Sequence, residues 1–326
     1  QKGFGVLGYR LTDATGRMIY EGKQAFSVEN GRFAPRPTLL RGPFVAEVTS
    51  GSAVIWYETS QPVRTCVKTD ASPDTFFSRS LLRRHELKLT GLLPDSQYRY
   101  TVGCDHLFAA FSFRTAPAQG SAAPFSFAYA SDSRSGYGGG ERDMCGANAW
   151  IMGRIGALAL REKSSFVQFT GDLANGYCSD PDEWLLENTN WVHAVEPYWH
   201  YLPFYVGMGN HESMGWHSDS IGWIVADGFP YETHSAESAF ARLFVHPENG
   251  PQSEDGSRYD PDTYKRGDFP TYAENVYHYR WGNTAMIVLN SDYWYAPILK
   301  KTKPLGGNLH GYIMDEQLRW LKTVLE

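Results

Sequence analysis

The sequence predicts a mixed α+β and α/β chain, an antiparallel β-sandwich followed by an α/β domain, on three observations. Over residues 36–116, short runs rich in Val, Thr, Tyr and Phe recur at close spacing, bounded by Gly, Pro, Asp and Ser, as sandwich strands do. Residues 117–124, within APAQGSAAP, have the small residues, Pro and Gly of a linker. Over residues 125–326, apolar strand-like runs alternate with stretches of helical period, the pattern of strands buried between helices.

Composition supports two cores. The 326 residues exceed one typical domain, and 15 % aromatic with 20 % charged residues describes a chain able to bury large side chains. A net charge of -6, from 30 Lys+Arg against 36 Asp+Glu, gives no electrostatic footprint for a nucleic-acid scaffold or an anionic membrane. The longest apolar helical stretch, WIMGRIGALAL, is broken by Arg154 and is too short for membrane insertion. The chain starts at Gln1 without Met or a basic leader, as a processed chain does, so a secreted or periplasmic location is expected. Cys66, Cys104, Cys145 and Cys178 make an even count without Cys-x-x-Cys spacing. Two disulfides in an oxidising compartment satisfy that count, and so do four buried thiols.

Along the chain, residues 1–35 contain one hairpin, GYRLTDATGRMIYEG, folded about Ala-Thr-Gly, to which no chemistry attaches. The sandwich strands read as FVAEVTS, SAVIWYETS, VRTCVKTD, HELKLTGL, SQYRYTVGC and LFAAFSFRT. Beyond the linker, PFSFAYASD is a strand, GANAWIMGRIGALALREK a helix with Trp150, Ile151, Ile155 and Leu158 as its apolar face, and SFVQFTGD a second strand. DPDEWLLENTNWVHAVEPYW is a helix with Asp180 as cap and Pro181 at its first position. PFYVGMGN follows as a third strand, NVYHYRWGN and TAMIVLNSD as a strand pair, and DEQLRWLKTVLE as a closing helix. The uniformly apolar AMIVL predicts a strand covered on both faces.

Three of these strands end in polar residues: Asp132 in YASDSR, Asp172 in FTGDLAN, and Asn210 with His211 in MGNHES. The carboxyl ends of strands in α/β domains form the crevice where ligands bind, so the clusters are expected to converge although they lie 40 and 38 residues apart. Two carboxylates, an amide oxygen and an imidazole are ligands that divalent or trivalent metals prefer. Asp172, in the middle, is the candidate to bridge two ions.

In this order, SD, GDLA and GNHE resemble the first three blocks of the calcineurin-like metallophosphoesterases. The preceding segment, through GSAVIWYE and LLPDSQYRYTV, is similar to the amino-terminal domain of purple acid phosphatases. Within it Leu93, Pro94 and Tyr98 resemble the corner before the sixth strand of fibronectin type III domains, where the Tyr hydroxyl bonds nearby backbone. Cys66 and Cys104 would then lie on neighbouring strands, close enough for a bridge.

The resemblance covers roughly residues 36–326 and implies a four-layer α/β/β/α catalytic domain. It implies two divalent or mixed-valence metal ions (Fe, Zn or Mn), with Asp132 on the first, Asn210 on the second and Asp172 bridging. Metal-activated water would attack a small-molecule phosphate ester. His211 would serve as general acid or transition-state stabiliser, with Glu212 fixing its tautomer.

The sequence departs from the family pattern at three places. Many relatives carry a metal-binding His two residues after the first Asp, where this chain has Arg134; a guanidinium has no lone pair to give. Arg134 instead binds substrate phosphate or makes a salt bridge. Purple acid phosphatases place a Tyr three residues after the second-block Asp; here that position is Asn175, a candidate substrate contact. Tyr177, two residues on, is expected to point elsewhere. The sequence also reaches Glu326 before the blocks that bring three more histidines, so the expectation is a chain that continues, with a degenerate site as the alternative.

Of the ten histidines, His193 and His200 read as packing or surface residues, His217 as a further substrate contact, and His278 and His310 as weaker candidates. GYGGGER, residues 136–142, lacks the Gly-Lys-Ser/Thr ending of a phosphate loop and reads as a loop over the site. Cys145 and Cys178 follow the first and second blocks, where a disulfide would pin two site loops together. SDYWYAP, residues 291–297, either walls the pocket or packs against the sandwich. Two functions follow: a phosphoesterase, or a non-catalytic scaffold or assembly subunit that keeps the fold. Substrate identity and oligomeric state depend on loops that one sequence does not orient.

Overall fold

The computed structural model describes residues 3–70, 75–78, 80–103, 109–134, 143–214, 216–219, 222–225, 227–228, 230–257, 269–294, 308 and 311–326. At the amino end, β1 (Phe4–Thr12) and β2 (Met18–Glu29) form the expected hairpin, and β3 (Arg32–Pro35) pairs with the other edge of β2. The turn is held by Asp13, whose Oδ1 accepts from Thr15 N, Thr15 Oγ1 and Arg17 N at 2.7–2.9 Å.

The next seven strands are β4 (Leu39–Ala46), β5 (Ser52–Val63), β6 (Cys66–Thr69), β7 (Thr75–Phe77), β8 (Leu82–Thr90), β9 (Gln97–Val102) and β10 (Ala109–Arg114). They make two antiparallel sheets, ordered β4-β5-β8 and β10-β9-β6-β7. In β8, His85, Leu87 and Leu89 are buried while Glu86, Lys88 and Thr90 are exposed, the period of two that gives a sheet one apolar face. Val45, Ile55 and Leu89 of one sheet share an apolar cluster with Tyr100, Val102 and Phe113 of the other. The expected tyrosine bond is present: Leu93 N donates to Tyr98 Oη at 2.7 Å.

The strands β11 (Ala128–Ala130), β14 (Val167–Phe169) and β15 (Phe204–Val206) form a parallel sheet in that order, with Ala130, Phe169 and Val206 in register. Between the first two lie β12 (Asp143–Met144), β13 (Ala147–Asn148) and α1 (Ala149–Arg161). Met144 pairs with Met18, which joins the amino-terminal hairpin to this half of the molecule. Between the second and third lies α2 (Pro181–Trp199), capped by Asp180 Oδ1 accepting from Asp182 N and Glu183 N, both 2.9 Å, with Pro181 at its first position.

The face of α1 differs from expectation. Trp150, Ile151 and Leu158 are 40–48 % exposed, and the buried residues are Met152, Gly156 and Ala159. The reason is close helix approach: Tyr198 of α2 lies over Gly156, where a Cβ would stand 2.2 Å from its ring. Small residues, not the bulkiest ones, meet the neighbouring helix.

The strand pair β16 (Trp216–Asp219) and β17 (Gly222–Val225), the helical turn α3 (Tyr231–His234) and α4 (Ala236–Leu243) follow. The antiparallel pair β18 (Tyr277–Trp281) and β19 (Thr284–Val288) is as expected. AMIVL, however, is not covered on both faces: Ala285 is exposed and Met286 and Ile287 are half-buried, and among the described residues β19 pairs only with β18.

The closing helix α5 (Asp315–Leu325) docks its amino end on Glu254, whose carboxylate accepts from Glu316 N at 2.9 Å and from Tyr272 Oη at 2.8 Å. Tyr293 and Trp294 of SDYWYAP pack with Tyr272, Val276 and Met314, and with Phe269 beside them, rather than against residues 36–116. Residues 295–297 of that stretch lie outside the described residues. Among the described residues no helix is long and apolar enough to cross a membrane.

Candidate functional site

The three polar clusters meet where the parallel strands run out. Asp132 N donates to Gly171 O at 3.1 Å and Ser133 N to Asp172 O at 2.9 Å, which ties the first two strand ends. His211 N donates to Asp172 Oδ1 at 3.1 Å, which ties the third. Asn210, His211 and Glu212 form a single 3-10 turn, so adjacent side chains diverge around one centre.

The Gly-Asp and Gly-Asn pairs have a steric basis. A Cβ on Gly171 (φ 97°) would stand 2.1 Å from Gly209 N, and one on Gly209 would stand 2.3 Å from Asp172 Oδ1. Only paired glycines let these strand ends touch. Asp132 and Asp172 both adopt the left-handed region, φ 57° and 58°, at a cost of roughly 1–2 kcal/mol each. Strain of this kind collects where a side chain is aimed for function.

Glu212 has a different task from the one expected. Its carboxylate accepts from Asp172 N and Leu173 N, both 2.8 Å, and from Gly209 N at 2.7 Å, and does not reach the His211 ring. Full burial, with Asp172 beside it, pushes its carboxyl up to about 8. Asn175 orients His211 instead: its carbonyl oxygen lies 2.6 Å from Nδ1. A carbonyl only accepts, so Nδ1 carries the proton and Nε2 keeps its lone pair. Arg134 Nη1 donates to that Nε2 at 2.5 Å, and Arg134 Nε is 3.8 Å from Asp172 Oδ2. Arg134 thus makes both contacts while staying 41 % exposed.

Tyr177 points into the site, not away from it. It accepts a hydrogen bond from Asn210 Nδ2, its ring centroid is 4.3 Å from that of His211, and its N donates to His211 O at 3.0 Å. Gly176 makes this possible, since a Cβ there would stand 1.6 Å from His211 O. No position-based signal marks Tyr177, because the pattern of purple acid phosphatases puts its tyrosine two residues earlier. Trp184 and Trp191 were missed as well. Spaced two turns apart on α2, they donate to Glu212 O (2.6 Å) and Ser133 Oγ (2.8 Å), clamping the third and first blocks.

Other candidates fall outside this cluster or outside the described residues. Asn175 is exposed and enters through its carbonyl. His217, on β16, pairs with Ile224 of β17, and its side chain is not among those described; GYGGGER and His310 lie outside as well. His200 Nδ1 donates to Pro43 O at 2.7 Å and its ring stacks on Phe111, His193 sits 3.3 Å from Glu196, and His278 packs near Trp320.

Cys145 and Cys178 are thiols and do not form the expected bridge. Glu187 joins their loops instead: it accepts from Gly176 N at 2.8 Å and lies against Gly146. Burial, then Glu187, Glu183 and Asp180, push the Cys178 thiol upward, which disfavours the thiolate that exchange requires. Cys66 is buried and disulfide-bonded; Cys104 lies outside the described residues.

Asp132, Asp172 and Asn210, just past the ends of the three parallel strands, offer carboxylate and amide oxygens, a donor type that fits a hard cation. Among the described residues, no group of three or more His, Cys, Asp or Glu side chains is placed to share a metal ion. Such a cation would complete its shell with water and substrate oxygens, as ions held by one or two carboxylates do.

No family model matches the chain. Among solved structures it is similar to PhoD, with a TM-score of 0.46 and 15 % identity over 77 % of this chain and 51 % of that one. It is also similar to the purple acid phosphatase PPD1 from yellow lupin (Lupinus luteus) seeds, with a TM-score of 0.45 and 13 % identity over 70 % of this chain and 46 % of that one. A smaller part, 38 % of the chain, is similar to 59 % of the central fibronectin-III array of RIM-binding protein, at a TM-score of 0.22 and 20 % identity. The chain spans about half the length of PhoD and of PPD1. Each is a likeness of fold, and the chemistry has to come from the strand-end geometry.

Proposed function

We propose that the chain is a metal-dependent phosphoesterase acting on small-molecule phosphate esters, with Asp132, Asp172 and Asn210 as metal-holding residues. The convergence of these three residues with His211 at the ends of consecutive parallel strands carries the reading. A bound ion there would polarise a phosphoryl oxygen and lower the pKa of water. Two ions sharing Asp172 is the finer form of the proposal, and among Fe, Zn and Mn the oxygen-rich donors favour Mn.

The chain's own residues divide the remaining work. Arg134 presents an exposed fork suited to a phosphate. When phosphate draws the guanidinium away, His211 Nε2 is freed to hold a proton beside the leaving oxygen, while the Asn175 carbonyl keeps the ring oriented. Glu212 fixes the backbone of both metal-holding loops.

The proposal includes a sandwich over residues 36–116, a linker over 117–124, a four-layer catalytic domain over 125–326, and a secreted or periplasmic setting. The two antiparallel sheets and the separate parallel sheet support the division. The test is hydrolysis of an aryl phosphate by the metal-loaded protein. Chelator should stop it, and Asp172→Asn should lower it at least 100-fold; undiminished hydrolysis in that variant excludes the site.

A second reading, a non-catalytic scaffold or assembly subunit, is favoured by one observation. The Arg134 guanidinium sits against both His211 Nε2 and Asp172, the side chains a metal site would use. Absence of hydrolysis in the metal-loaded protein selects this reading.

A further inference from the structure

We propose that Tyr177 is a positioning residue that holds the Asn210 amide with its oxygen facing the metal. The inference rests on the metal-dependent reading above. An amide has one end that can ligate a cation and one that cannot: Oδ1 has lone pairs, whereas Nδ2 carries only donor hydrogens. When Oδ1 is directed to a cation, Nδ2 points away and needs an acceptor. Tyr177 Oη is that acceptor.

The backbone is shaped to bring the hydroxyl there. Gly176 and Tyr177 are consecutive left-handed residues, φ 62° and 51°, and a non-glycine residue adopts that region only against a steric cost. Tyr177 N is anchored on His211 O at 3.0 Å, and the ring rests on the His211 ring. One residue earlier, Asn175 gives its carbonyl to His211 Nδ1. Residues 175–177 therefore orient both neighbours in the third block, the imidazole through a carbonyl and the amide through a phenol. Partners that orient ligands in this way typically change metal affinity 10–100-fold when removed.

Tyr177→Phe removes the hydroxyl and keeps the ring. Mn²⁺ binding to the full chain, wild type and variant, is measured by calorimetry, with thermal unfolding of both as the check on folding. The expected result is a Kd about 10-fold weaker in Tyr177→Phe, an unchanged unfolding midpoint, and hydrolysis restored to the wild-type kcat at saturating Mn²⁺. An unchanged Kd overturns the inference. So does a kcat that stays low at saturating metal, since that places Tyr177 in the chemistry. Loading with Fe³⁺ separates direct ligation: a visible charge-transfer band lost in the variant puts the phenolate on the metal and overturns the positioning role. Wild-type protein that binds no Mn²⁺ sinks the metal-dependent reading itself, and the inference with it.

Discussion

Residues 39–114 and residues 130–212 both bury polar groups, and they satisfy them differently. In the two antiparallel sheets, some partners are close in sequence: Tyr57 Oη pairs with Thr65 Oγ1 at 2.7 Å and Tyr98 Oη with Leu93 N at 2.7 Å. Around the parallel strand ends, several partners lie 39 to 58 residues apart. Glu212 holds Asp172 and Leu173, His211 bonds Asp172 Oδ1, and Trp191 holds Ser133. Left-handed backbone also has different surroundings. Gly91 (φ 74°) has open space where a Cβ would go, whereas Gly171 and Gly176 are in backbone contact there. The first region is built by alternation along each strand, and the second by forcing distant strand ends together. Crowding and left-handed backbone are concentrated where those strand ends touch.

The largest effect should come from putting the same substitution in both regions. Gly176→Ala drives a methyl into the His211 carbonyl, so a loss of more than about 4 kcal/mol and abolished hydrolysis are expected. Gly91→Ala pays only for its dihedral, about 1–2 kcal/mol. Urea unfolding of both variants measures the difference, and equal losses would erase the distinction between the regions.

A smaller contrast separates the hydrogen bonds. Glu212→Ala strips the acceptor from three N–H groups at the strand ends, at least about 3 kcal/mol if they stay dry. Tyr98→Phe removes one acceptor from Leu93 N, which lies at an exposed position, so about 1 kcal/mol is expected. A Glu212→Ala cost no larger than that of Tyr98→Phe would show water replacing the carboxylate.

The same contrast explains what could be read from the residues alone. The position of Asp132, Asp172 and Asn210 at strand ends was legible because each follows an apolar run. Asp180 with Pro181 was legible because a helix start is local chemistry, and Tyr98 because its partner is five residues away. Tyr177, the task of Glu212 and the buried face of α1 were not. Each depends on how closely two distant segments approach, and in α1 that approach is set by Gly156 under Tyr198, a contact no helical period contains. AMIVL misled for a related reason: apolar composition does not say what distant segment packs over each face of a strand. The two thiols misled because Glu187, from a helix between the second and third blocks, already joins their loops.

The smallest effect concerns pH, and it should fall on the second half of the molecule. Burial raises Glu274 from an ordinary 4.5 to about 9, as it raises Glu212 to about 8. Between the unfolded and folded values the native state keeps a proton that the unfolded chain has released. Stability therefore declines as pH rises through that window, by at most about 1.4 kcal/mol per pH unit for each such group. His246 acts on the other side. Buried and lowered to about 3 from 6.5, it stays neutral in the fold, so stability is lost as pH falls below 6.5. Glu274→Gln keeps an acceptor for His246 N and removes one titration. Between pH 7 and pH 8 its unfolding midpoint should fall less than that of wild type, by about 1 kcal/mol in stability. Parallel curves for the two proteins would mean that Glu274 is already ionised in the fold, held by a cation or water that reaches it beside His246.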